Sequence, residues 1–222
     1  MEKYLKGLEP VTLFKGISRD DLKSLLHCLG AKAAHYSKND IIFMAGDRIG
    51  SLGIVLSGQV QVVQEDYHGN KCIIGNIDAG NLFGESFSFA SIETLPFSIY
   101  ATTESDILFI DCKALVTPCE KACGFHSKLI FNMMNIIANK NIALTKKIEF
   151  TSKRTTREKL LAYLSAEAQK AQSGSFSIPF NRQGLADYLN VDRSAMSSEL
   201  CKLRDDGILR FKRNRFEFLK TN

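Results

Sequence analysis

Asn181-Arg182-Gln183-Gly184-Leu185-Ala186-Asp187-Tyr188-Leu189-Asn190-Val191-Asp192-Arg193-Ser194-Ala195-Met196-Ser197-Ser198-Glu199-Leu200 is the stretch on which the reading of this chain turns. Asn181 is a good helix N-cap, because its short side-chain oxygen can accept from the N–H groups of the first turn. Leu185, Ala186 and Leu189 give the following helix an apolar face. Asn190-Val191 predicts a turn, since Asn tolerates the left-handed conformation. Asp192 caps a second helix in which Met196, Leu200 and Leu203 face inward. Arg193, Ser194, Ser197 and Ser198 are then left near its exposed N-terminal end. In a helix-turn-helix those positions meet base edges in the major groove. Arg182, opening the first helix, joins them as a DNA-binding candidate. A generic helical hairpin is the alternative, and context decides against it.

That context lies on both sides. Downstream, Leu209-x-Phe211 and Phe216-x-Phe218 alternate across Arg213-Asn214, which predicts a hairpin with a basic tip. Arg210, Lys212, Arg213 and Arg215 can neutralise phosphates there. Upstream, Thr155-x-x-Glu158 is a capping box opening a helix from Thr156 to about Gln172. Ser173-Gly174-Ser175 reads as a loop and Phe176–Phe180 as a short extended piece. The chain's formal charge is +5. Residues 151–222 hold 14 Lys+Arg against 8 Asp+Glu, a local +6, whereas residues 1–150 hold 15 against 16, a local −1. The basic excess thus coincides with the helix pair and points to an anionic partner.

Working further back, Ile130, Met134, Ile137, Asn141, Leu144 and Ile148 recur in alternating steps of 4 and 3, a heptad seam on a long helix. A polar Asn141 at an a-type position fixes register in two-stranded pairs at some cost in stability, which predicts a parallel dimer helix. The alternative is a helix lying on its own domain's core with Asn141 exposed. Before it, from Ala34 to Asp111, short β-branched and aromatic runs such as Ile54-Val55-Leu56 and Ile107-Leu108-Phe109-Ile110 alternate with Gly-containing turns. That spacing predicts an antiparallel sandwich or roll. Leu22, Leu25, Leu26 and Leu29 mark a short amphipathic helix ending near Gly30.

The resemblance is then plain. Leu56-Ser57-Gly58-Gln59-Val60 and Gly80-Asn81-x-Phe83-Gly84-Glu85 are similar to the effector domain of the cyclic-AMP receptor/fumarate–nitrate regulator (CRP/FNR) superfamily of bacterial transcription factors. Arg182-Gln183-x-Leu185-Ala186-Asp187-Tyr188-Leu189-x-Val191-Asp192-Arg193-Ser194 is similar to its helix-turn-helix and is the more specific motif. The likeness covers nearly the whole chain. It implies an α+β fold: an N-terminal antiparallel β-roll of the cyclic-nucleotide-binding jelly-roll kind (1–117), a long dimerisation helix and hinge (118–152), and a C-terminal winged helix-turn-helix (153–222). It also implies a homodimer on a pseudo-palindromic double-stranded operator, and RNA polymerase as a partner if the protein activates.

Two departures qualify the likeness. The family often has Glu at Ser194 and Arg at Ser198, residues that would read cytosine and guanine. Arg193 matches, so fewer charge-assisted base contacts are expected. Family cyclic-nucleotide binders also follow the Gly-Glu motif with an Arg-Ser pair for the phosphate, where this chain has Leu95 and Pro96. No Lys or Arg occurs from Cys72 to Cys112. A buried phosphate without a cation is costly to desolvate, which argues against cyclic AMP.

The sensing chemistry stays open. Cys119, Cys123 and His126 are spaced i, i+4, i+7, within about 60° of arc on one helical face. These are zinc or iron–sulfur ligand types, with Cys28 or Cys112 as a fourth. A thiol switch beside Lys121 and Lys128, or plain packing, are the alternatives. No cysteine precedes Cys28, unlike the family's iron–sulfur sensors. Phe83, Glu85, Phe87, Phe97 and Ser98, with Met133 and Met134, are candidates to line an apolar effector pocket, or simply to fill the roll. An enzyme is not expected: no nucleophile–base motif and no phosphate-cradling loop is found, and the four histidines are scattered. No apolar run reaches the ~18 residues of a membrane span, and Met1–Glu9 has no apolar core. With six cysteines and no export signal, the expectation is a cytoplasmic protein without membrane contact. Two competing readings remain: a constitutive DNA binder with a vestigial sensor, and a metal- or redox-responsive module.

Overall fold

The computed structural model of the chain describes residues 4–65, 67–68, 71–90, 92, 94–117 and 124–219. The chain packs as two units, residues 1–138 and 139–222.

The first unit opens with helix α1 (Leu5–Leu8), a 3-10 turn (Thr12–Phe14) and α2 (Arg19–Cys28). Ser18 caps α2 by accepting from the Asp21 N–H at 3.2 Å, and Leu22, Leu25 and Leu26 are buried. Eight strands follow: β1 (Lys32–Tyr36), β2 (Ile41–Phe43), β3 (Ser51–Ser57), β4 (Gln59–Glu65), β5 (Lys71–Asp78), β6 (Leu82–Phe83), β7 (Ser98–Ala101) and β8 (Ser105–Asp111). They form two antiparallel four-stranded sheets, ordered β1-β8-β3-β6 and β2-β7-β4-β5. This is the predicted roll.

Side-chain alternation explains why several strands read as unbroken apolar runs. On β3 and β8, Leu52, Ile54, Leu108 and Ile110 join the helical layer in one core. Val55 and Ile107 point the other way, to meet Val60, Ile99 and Ala101 of the second sheet. Both faces of the first sheet are therefore covered, and period-2 alternation cannot show as apolar–polar. Each fully buried aliphatic side chain contributes about 1.5–3 kcal/mol. Two glycines are required. Gly53 lies under the ring of Phe83, its register partner across β3 and β6, and any Cβ would strike that ring. Gly58 turns β3 into β4 at φ +80°, against the Glu104 carbonyl and the Ser105 hydroxyl.

Short helices α3 (Glu85–Phe89) and α4 (Cys112–Val116) flank the roll, and Asp111 caps α4 through the Lys113 and Ala114 N–H groups. Helix α5 (Gly124–Thr151) follows. Its Leu129 and Met133, with half-buried Ile136, pack into the first core. The buried Asn132 amide donates to the carbonyls of Leu13 at 2.9 Å and Lys15 at 3.0 Å. Lys128 donates to the Gly16 carbonyl beside them.

The second unit contains α6 (Thr156–Ala171), β9 (Ser175–Ser177), α7 (Arg182–Leu189), α8 (Arg193–Asp205), β10 (Leu209–Lys212) and β11 (Arg215–Phe218). The capping box is formed: Glu158 N–H donates to Thr155 Oγ1 at 3.1 Å and Thr155 N–H to Glu158 Oε2 at 3.0 Å. α6 ends at Ala171, one residue before the predicted limit, because Gln172 turns left-handed at φ 49°. The extended piece near Phe176 joins the basic hairpin as a third strand, in the order β10-β11-β9. Phe176 pairs Phe216, and their rings stack at 6.1 Å. A strand partner that far away in sequence leaves no local periodic signal.

Candidate nucleic-acid interface

The helix pair forms as its residues dictate. Asn181 Oδ1 accepts from the Gly184 N–H at 2.8 Å to start α7. Asn190 takes the left-handed conformation at φ 51° and closes it. Asp192 Oδ1 then accepts from the Ala195 N–H at 2.8 Å and starts α8. Met196, Leu200 and Leu203 are buried against Leu185, Ala186 and Leu189. The Ser194 hydroxyl and the Ala195 amide, donating to the Asp192 carboxylate, hold it below the usual aspartate range.

The exposed start of α8 carries Arg193, Ser194, Ala195 and Ser198. Among the described residues the Arg193 side chain makes no hydrogen bond or ion pair, which leaves its guanidinium available. Ser197 differs from its expected role. It is half-buried, and its hydroxyl donates back to the Arg193 carbonyl at 2.8 Å. The Ser194 hydroxyl donates to Asp192 Oδ1 at 2.5 Å, so it serves the cap. One turn on, Lys202 pairs with Glu199 at 2.6 Å.

The wing presents Arg210, Lys212, Arg213 and Arg215 to solvent. Arg213 sits at the tip with φ 55°. The tip is tied down on one side: the Ile178 N–H donates to the Asn214 carbonyl at 2.9 Å, and the Asn214 amide to the Ile178 carbonyl at 3.1 Å. Arg182 departs from the expectation of an exposed cation. It is half-buried, with its guanidinium carbon 4.8 Å from the centre of the Phe211 ring and 5.3 Å from that of Phe216. Burial lowers its pKa from the ordinary arginine value. The sequence shows Arg182 beside a helix cap but not that the wing would fold over it.

The seam residues stand free of the chain's own core. Met134 and Ile148 are each 66% exposed and Leu144 61%. Ile137 and Asn141 are also exposed, and Ile130 is half-buried. α5 uses Leu129 and Met133 for its own unit, and the next residues in each case, Ile130 and Met134, lie outside it. Within the described chain the seam is not spent on an intrachain core.

The effector candidates do not all come together. Phe83 is buried between the sheets, where Phe43 and Phe83 both stand edge-on to Phe109 at 5.8 and 6.4 Å. Phe87 and Phe97 pair edge-to-face at 4.8 Å. Ser98 Oγ accepts from the Ala45 N–H at 3.0 Å, a structural bond. Glu85, 3% exposed, starts α3. Met133 belongs instead to the helical core, and Met134, next to it in sequence, points to solvent. A helix separates consecutive residues by about 100°, so the two methionines cannot share one pocket wall with Phe83. Leu95, at the family's phosphate-binding position, is a core residue at 2% exposure.

Cys119 and Cys123 lie outside the described residues. Their third candidate partner, His126, is 5% exposed, stacks on Phe125 at 5.9 Å, and has an Nδ1 without a hydrogen-bond partner among the described residues. Cys112 is buried, which raises its thiol pKa. Among the described residues no group of three His, Cys, Asp or Glu could hold a metal ion. Also among them, no helix is long and apolar enough to cross a membrane. One cluster escaped the sequence altogether. On the outer face of the roll, His35 bridges Asp106 at 3.1 Å and Glu104 at 3.0 Å.

Comparison with known proteins matches residues 33–121 to the cyclic nucleotide-binding domain family and residues 158–221 to the Crp-like helix-turn-helix domain family. The chain belongs to the CRP/FNR superfamily. Within it, this CRP/FNR chain is 23% identical to the CRP-like protein Clp of Xanthomonas campestris pv. campestris, over 78% of each chain. It is 36% identical over 63 residues to Vfr of Pseudomonas aeruginosa, a cAMP-activated global transcriptional regulator, covering 28% of each chain. It is also 28% identical over 82 residues to the potassium channel AKT2/3 of Arabidopsis thaliana, so the chain spans 10% of that relative's length and 28% of Vfr's. Its fold is that of a solved structure of CprK complexed with OCPA, with a TM-score of 0.64 at 14% identity, over 90% of this chain and 92% of that one. The superfamily is one of DNA-binding transcription regulators, and the roll, long helix and helix-turn-helix are its architecture.

Proposed function

We propose that this CRP/FNR protein is a cytoplasmic homodimer that reads a pseudo-palindromic operator and is gated by an effector other than a cyclic nucleotide. The observation that carries the DNA reading is the start of α8. Arg193 and Ser198 stand exposed there, their side chains without a hydrogen-bonded partner among the described residues, and the same unit carries a wing of four exposed cations. The exposed seam of α5 supports pairing with a second copy. An activator would add RNA polymerase to the partners.

Against a cyclic nucleotide stands the cation-free run from Cys72 to Cys112, with a buried leucine at the family's arginine position. Vfr's activation by cAMP is a property of that relative. A second reading, a metal- or redox-responsive regulator, is favoured by the buried Nδ1 of His126, which has no hydrogen-bond partner among the described residues and lies close in sequence to Cys119 and Cys123.

The test is binding of the full chain to a duplex selected from a randomised pool, between 50 and 200 mM salt. Log affinity is expected to fall linearly with log salt, by roughly 0.9 for each phosphate neutralised. A flat line overturns the reading. Purification with and without oxygen, followed by metal analysis and an absorption spectrum, decides the second reading: a colourless, metal-free protein removes metal from it.

A further inference from the structure

We propose that Arg182 is a positioning residue that braces the wing against the helix-turn-helix, and that it acts on DNA through the wing rather than through a phosphate contact of its own. This deepens the DNA-binding reading and rests on it.

Arg182 is the first residue of α7, the helix that does not enter the groove. Its guanidinium lies over two rings at once, 4.8 Å from Phe211 and 5.3 Å from Phe216. Those residues face each other in register across β10 and β11, their ring centres 5.9 Å apart. One cation therefore covers both strands of the hairpin. Phe216 is 1% exposed and belongs to the unit's core, so the contact is anchored in rigid packing. A guanidinium is planar and weakly hydrated, which suits it to lie half-buried on aromatic faces. Among the described residues the Arg182 guanidinium makes no hydrogen bond or ion pair, so the rings are what hold it.

The rest of the wing's attachment shows why this contact matters. The bonds between Ile178 and Asn214 tie the tip to the segment that leads into α7. They lie at the tip, whereas Arg182 grips the ring face between the strands. Arg213 and Arg215 flank that tip. Their position relative to Arg193 on α8 depends on the angle of the wing, and the brace sets that angle.

The experiment uses the full-length protein and compares Arg182→Met with Phe211→Leu. The first keeps the aliphatic stem and removes the cation; the second keeps the cation and removes a ring. Each is combined with Arg213→Ala. Binding to the selected duplex is read across a salt series, and hydrogen exchange over residues 209–218 is read in the DNA-free protein. Both single variants are expected to weaken binding about threefold to tenfold, the size of one cation–π contact. The salt slope stays unchanged, and wing amides exchange faster in both. In the Arg213→Ala background either change adds less than about twofold, because the tip it positions is already silent. A phosphate contact gives the opposite pattern: a slope reduced by about one in Arg182→Met, losses that multiply with Arg213→Ala, unchanged exchange, and Phe211→Leu close to wild type. That pattern overturns the proposal. If the duplex binding proves insensitive to salt, the DNA reading fails, and the exchange data still decide whether Arg182 holds the wing.

Discussion

Arg193 is the residue on which sequence reading depends most. It is exposed at the first position of α8, and under the proposed reading its guanidinium would make a bidentate contact to guanine in the major groove. Arg193→Ala is expected to cost about 1–3 kcal/mol on the selected operator and to relax preference at one base position. An equal loss on random duplex would reassign Arg193 to the phosphate backbone. Capping residues were fully legible, since Asn181, Asp192 and Thr155 act on N–H groups two or three residues away. Arg182 and Ser197 were not. The role of the first depends on a wing some thirty residues downstream, and that of the second on which way one hydroxyl turns. His35 was illegible for the same reason, as its carboxylate partners lie about seventy residues on. Asp106 and then Glu104 raise the imidazole pKa above 6.5. The sign follows: a raised folded-state value means the pairing stabilises the fold in full below about pH 6.5 and is lost as pH rises through the folded value. An NMR titration of His35 should show a midpoint above 6.5 that moves back toward it in Asp106→Asn. A wild-type midpoint at or below 6.5 contradicts the geometry.

At the scale of elements, periodicity was informative wherever one face met water. The apolar stripe on α2 was visible because its other face is polar, whereas the heptad on α5 showed in its 4-and-3 spacing although Leu129 and Met133 give the helix a second apolar face. β3 and β8 were recognisable only as apolar runs, since both their faces are covered. The third strand of the wing was readable only as a short extended piece and not as a partner of the hairpin, because β9 is three residues long and pairs across sequence. Asn141 belongs to this scale. A polar residue at an a-type position weakens a helix pair while fixing its register. Asn141→Leu should therefore tighten self-association in sedimentation and at the same time lower operator affinity, as the paired recognition helices lose their set spacing. If both stay as in wild type, the pairing seam lies elsewhere.

For the whole molecule, charge proved more informative divided than summed. A net of +5 identifies nothing, while −1 over residues 1–150 and +6 over residues 151–222 place the basic excess on the part matched to the Crp-like helix-turn-helix domain. The roll, the long helix and the helix-turn-helix were all readable from motif and spacing. The effector was not, because ligand selectivity lies in which side chains converge. Here the converging groups divide: Phe83 fills the gap between sheets, Met133 serves the helical core and Met134 faces outward. Seven residues that look like one pocket in sequence serve at least three environments in space.

The exposed stripe on α5 carries a thermodynamic consequence. Met134, Leu144 and Ile148 are each more than 60% exposed on a single chain. If they are buried only in the pair, part of the folding free energy is mass action, and protomer concentration becomes a variable of stability. Thermal unfolding followed over a hundredfold dilution should then show a midpoint that falls steadily as the protein is thinned. In the cell such a protein would be most vulnerable to proteolysis when newly made and scarce, so its abundance would reinforce its own persistence. A midpoint indifferent to dilution would mean that the stripe stays open to water.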